Sequence, residues 1–168
     1  MPSAPHAQES SVKQSDKEMV VRVARVLNVR SGSYIKSAAI WVEGERIKAV
    51  GREIDVLKEA PAFVQILDLG DVTVLPGLID CHTHLMARIP GGPDGYAVNL
   101  LTKSQAYRAL EGAANARATL EAGFTTVRDV ESEGSGYADI ALRDAINNGL
   151  VAGPRMRVAT RAITVAGA

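Results

Sequence analysis

The chain has 168 residues, with 19 basic and 19 acidic side chains, 46% apolar content and 23% charged content. That is room for one ordinary domain, or a small domain beside part of a larger one, with apolar residues enough for a packed core. Balanced charge without a basic cluster gives no reason to expect nucleic acid or an anionic membrane as partner, and the lone cysteine, Cys81, excludes an internal disulfide.

Residues 1–18 are polar, lack the apolar stretch of a secretory signal and read as a disordered leader, with His6 incidental. No run approaches the roughly 18 apolar residues of a membrane helix. A soluble, cytoplasmic protein is therefore expected. Order begins near Met19, where "MVVRVARVLNV" is rich in β-branched residues and reads as a strand. "AAIWVEGERIKAVG" reads as a hairpin turning at Gly44, which can take a positive φ. Short strand segments follow in "VQILDLGDVTVLPG", broken at Gly70 and Gly77. Residues 19–73 thus form a small β unit with Trp41 in its core, too small to bury much on its own.

The pattern then changes to alternating strands and helices. "VLPGLIDCHTH" is a buried strand in which Cys81 is expected as a small buried hydrophobe. After a Gly/Pro-rich loop that includes Tyr96, a helix is expected from about Thr102 to Ala122, with Ala106, Leu110, Ala113, Ala114 and Ala118 as its buried stripe. Gly123 would cap it. "TTVRDV" is the next strand, and "ESEGSG" leads to a helix that buries Ala138, Ala141, Leu142, Ala145 and Ile146. Asn148-Gly149 closes that helix and "RMRVAT" is a third strand. Strands and helices alternating at this length imply parallel strands joined by right-handed crossovers.

The chemistry lies at the end of the first of these strands. Side chains at i and i+2 of a strand share a face, so His82 and His84 project together, with Asp80 below them. Two such imidazoles suit one divalent cation, and the carboxyl end of a parallel strand is where α/β proteins carry their sites. The plainer alternative is a pair of histidines satisfied by hydrogen bonds at a strand end.

"PGLIDCHTH", preceded by "WVEGERIKAVG" and followed by "EAGFTTVRDVES" and "GPRMRVATRAIT", resembles the amidohydrolase superfamily, and its imidazolonepropionase-like and Xaa-Pro dipeptidase-like branch in particular. The resemblance implies an α/β fold: the first three strands of a (β/α)8 TIM-like barrel, residues 74–168, after a composite β-sandwich unit. It implies one or two divalent metals, usually zinc, with His82 and His84 as ligands from the first barrel strand. Asp80 becomes a candidate to orient one imidazole, the alternative being a bond to backbone or to a basic group. The implied activity is hydrolysis of amide or peptide-like C–N bonds by metal-activated water, on small-molecule or dipeptide-like substrates. Arg128, Arg161 and Tyr96 are candidate substrate contacts.

The family site also uses a strand-four lysine, two later histidines and an aspartate on the eighth strand. No histidine follows His84, and a barrel takes about 250 residues. The expectation is thus the N-terminal portion of a metal-dependent hydrolase, with no complete catalytic set and no activity by itself. One alternative is a non-catalytic remnant or interaction module, pairing through its open sheet edge with itself or a complementary chain. Another is a small protein that binds metal structurally.

Overall fold

The computed structural model describes residues 18–88, 95–163 and 165. The leader expected over residues 1–18, Glu18 apart, lies outside them, as do residues 89–94 of the Gly/Pro-rich loop. The chain divides into two compact units between Pro76 and Gly77.

In the first unit, β1 (Glu18–Asn28), β2 (Ser33–Glu43) and β3 (Arg46–Arg52) form an antiparallel meander, and helix α1 (Glu53–Glu59) follows directly. Strands β4 (Gln65–Asp68) and β5 (Thr73–Val74) then add in parallel to the free side of β1, giving one five-stranded sheet. The β2–β3 turn pivots on Gly44 at φ 57°, as its sequence requires. Strand β1 buries Val20, Val23 and Val26, at a spacing of three rather than two. The β1–β2 ladder skips the Ala24–Ser37 position, where Ser37 sits at φ 45°, and that break turns the strand's inward side. Two small apolar clusters result. Val20 and Ala39 pack with Val56 of α1, with half-buried Trp41 against them, while Val23, Val26 and Ala38 form the other. Helix α1 is absent from the sequence expectation because its seven residues are too few to show a periodicity.

The second unit is a parallel sheet of β6 (Leu78–Thr83), β7 (Phe124–Asp129) and β8 (Arg155–Val158), in that order. Helices α2 (Gly95–Thr102) and α3 (Gln105–Glu121) connect the first pair, and α4 (Ala138–Asn147) the second. Its core is Leu85, Met86, Ala116, Val127, Leu142 and Met156, with Ala138 at the edge. Among the described residues, no helix is long and apolar enough to cross a membrane.

Three expectations are corrected here. Residues 95–99, expected as the end of the Gly/Pro-rich loop, open helix α2, whereas the helix expected from about Thr102 to Ala122 is α3, capped by Ser104, whose hydroxyl accepts the Tyr107 backbone N–H at 3.2 Å. The buried face of α3 is Arg108, Gly112 and Ala116, with Ala109 and Ala113 beside it. Leu110 is instead 73% exposed. Gly112 decides the face, because a Cβ there would lie 2.2 Å from Met86 Cε, so the helix seats its bare position on the largest core side chain. Cys81 is exposed, because β6 is an edge strand covered on fewer sides than a central one. Gly123 at φ 96° does terminate α3, and α4 buries Ala138 and Leu142 as its spacing predicts, although Ala141 is exposed.

Candidate metal centre

Strand β6 delivers His82 and His84 to one side of its carboxyl end, as the two-residue period requires. Their Nε2 atoms stand 3.2 Å apart and their ring centroids 5.1 Å apart. Two nitrogens each about 2.0–2.1 Å from one ion at a near-tetrahedral angle would be separated by about 3.3–3.4 Å. The 3.2 Å separation is that of a ring-to-ring hydrogen bond and lies close to the spacing a chelate needs. Asp80 sits below, and its Oδ1 accepts the backbone N–H of His82 at 2.9 Å, fixing the strand rather than a ring.

The carboxylates nearest the rings come from the loop after β7, which the sequence reading passed over. Ligand atoms of His84, Glu131 and Glu133 lie within 4.8 Å of one another. Glu133 is 8% exposed, and its Oε1 lies 2.5 Å from His84 Nδ1 without the geometry of a formed hydrogen bond. Its Oε2 accepts the Tyr96 hydroxyl. The loop is tightly laced: Ser132 N–H donates to Thr160 O at 2.6 Å, Ser135 N–H to Ser132 O at 2.9 Å, and the Ser135 hydroxyl to the same carbonyl. Left-handed backbone at Glu133 (φ 54°) and Gly134 (φ 73°) makes the turn that swings the Glu133 side chain toward β6.

The segment after His84 has no regular structure, so side chains must satisfy its backbone. Asp129 Oδ2 accepts the Leu85 N–H at 2.7 Å, Asn115 donates to Leu85 O at 2.9 Å, Arg108 Nε to Met86 O at 3.1 Å, and Asn99 to Arg88 O at 3.0 Å. Burial pushes the Asp129 carboxyl up to about 6; the Leu85 N–H opposes that rise, and nearby Asp139 adds to it. Asp139, fully buried, accepts Thr160 N–H at 2.9 Å and ties the end of β8 to α4.

The three expected substrate contacts are spread around this rim. Tyr96 lies in α2 and meets Glu133. Arg128 donates through Nε to Cys81 O at 2.7 Å, bracing β6 against β7. Arg161 stacks over the Tyr137 ring at 5.1 Å and lines a cavity of about 290 Å³ with Gln105, Glu131 and Ser132. Two imidazoles with convergent nitrogens and carboxylates beside them are a donor set that fits a divalent cation such as zinc.

A parallel α/β unit with such donors at the carboxyl ends of its strands defines a class, and comparison with known proteins narrows it. The amidohydrolase family model matches residues 73–165, and the chain belongs to that family. It is 47% identical over 53 residues to the imidazolonepropionase of Anaeromyxobacter dehalogenans, a match covering 31% of this chain and 13% of that one. It is 37% identical over 67 residues to the 5'-deoxyadenosine deaminase of Methanothrix thermoacetophila, covering 40% and 14%. Among solved structures, a Xaa-Pro dipeptidase with methionine bound in its active site superposes with a TM-score of 0.70 at 29% identity, covering 87% of this chain and 34% of that one. The match thus spans about a third of that solved chain and about a seventh of the curated relatives.

Proposed function

We propose that the chain supplies the first metal-holding strand of a hydrolase acting on C–N bonds, with His82 and His84 as ligands and zinc as the preferred ion. When bound, the ion would supply Lewis acidity and an activated water. The chain's own part is to hold two ring nitrogens at chelating distance. The observation that carries this reading is the 3.2 Å approach of the two Nε2 atoms on a strand that falls within the family match. The parallel βα units then correspond to the opening of a (β/α)8 barrel, and the β unit to a composite sandwich domain.

The dipeptidase and imidazolonepropionase relatives favour small amide or dipeptide-like substrates. Arg161, with its cavity, is the residue here best suited to a substrate carboxylate. The family resemblance calls for a strand-four lysine, two further histidines and an eighth-strand aspartate beside this pair, so these 168 residues by themselves are expected to bind the ion without turnover. The competing reading is an interaction module that pairs through its sheet edge, favoured by exposed Leu78 and Ile79 on edge strand β6.

Zinc titration of the purified chain by calorimetry tests the choice. One ion per chain is expected, with binding lost in His82→Ala and His84→Ala and no hydrolysis of Xaa-Pro dipeptides. Absence of zinc binding by the folded chain would overturn the metal reading. Hydrolysis that disappears in His84→Ala would overturn the expectation of inactivity.

A further inference from the structure

We infer that Glu133 is a positioning residue for His84: its carboxylate, held on the far side by the Tyr96 hydroxyl, keeps the ring proton on Nδ1 by accepting from it and leaves Nε2 free to face the ion. The inference rests on the metal reading above for its purpose, though not for its geometry.

Each ring nitrogen of His84 has a close polar neighbour: Nε2 faces His82 Nε2 at 3.2 Å, and Nδ1 faces Glu133 Oε1 at 2.5 Å. A neutral imidazole carries its proton on one nitrogen only, and a carboxylate beside one nitrogen draws the proton there. Glu133 is equipped for this. It is buried, so its charge needs partners, and its two oxygens are divided between Tyr96 and His84. It also holds a left-handed backbone conformation that a glutamate rarely adopts, in a loop laced at Ser132 and Ser135.

A second arrangement would use Nδ1, Glu131 and Glu133 as direct ligands. The distances favour the first. Donors sharing an ion at about 2.0–2.1 Å each and a near-tetrahedral angle stand about 3.3–3.4 Å apart, and the 2.5 Å between Nδ1 and Oε1 is too short for two such donors.

The test begins with the metal-free wild-type chain, by long-range proton–nitrogen NMR of the His84 ring. The proton is expected on Nδ1, with Nε2 at the shift of a bare nitrogen, and Glu133→Gln should move the proton toward Nε2. Zinc affinity should fall about 10–100-fold in Glu133→Gln, fall less in Glu133→Asp, which keeps the charge, and stay within error in Glu131→Gln. A wild-type ring protonated on Nε2 would overturn the inference, and needs no variant to fold. An equal loss of affinity in Glu131→Gln and Glu133→Gln would overturn it too, in favour of direct ligation. A chain with the expected tautomer and no zinc affinity would sink the metal reading while supporting the Glu133–His84 contact.

Discussion

The two units bury different chemistry. Among the described residues of the first, the fully buried set is Val20, Val23, Val26, Ala38, Ala39 and Val56, all apolar. The second buries valine, leucine and methionine too, but also Asn99, Arg108, Asp129, Ser132, Glu133, Ser135 and Asp139. Buried polar groups are tolerated only with partners, and here most find them at the carboxyl ends of the strands. The sheet of the first unit is built for packing. The second gives up part of its apolar core to hold one rim in a fixed shape, which is what a site requires and a scaffold does not.

The comparison can be broken most forcefully by moving a charge across it. Val20→Asp places a carboxylate against Ala39 and Val56, which offer no side-chain donor, and should cost about 3–5 kcal/mol by urea denaturation. A small loss would mean that the first unit's core is not dry. A pH series sharpens the contrast next. The Asp129 carboxyl sits at about 6 when folded against 3.8 for the free group, so its stabilising contribution is complete below 3.8 and is lost as pH rises through 6. With chelator present, the wild-type chain should therefore gain stability relative to Asp129→Asn as pH falls from 7 to 5. A flat difference would remove the assigned burial effect. The smallest effect belongs to Cys81→Ser, expected within about 0.5 kcal/mol because the thiol is exposed; the native thiol should react with a disulfide reagent without a lag.

Much of the fold could be read from local rules. The Gly44 turn and the Gly123 stop each depend on a few adjacent residues, and the parallel strands on the alternation of strand and helix along the chain. So does the common face of His82 and His84, which follows from strand period alone. What escaped depends on distance. Glu133 reaches His84 across 49 positions, from a loop (residues 131–136) whose two glutamates carry no spacing that ties them to the histidines. The face of α3 was misjudged because alanine satisfies a helical stripe on any side, whereas the side that packs is set by Gly112 against Met86. Cys81 was assigned inside because an apolar strand suggests cover on both faces, and an edge strand lacks it.

The stitched segment after His84 has one more consequence. Arg108 and Asn115 on α3 and Asn99 on α2 hold the carbonyls of Leu85, Met86 and Arg88, while Asp129 holds the Leu85 amide. These anchors work like guy-lines on a mast: the aim of the imidazole is set by residues that never touch it. Slackening a single line would remove no ligand atom and still widen the arc through which the ring swings.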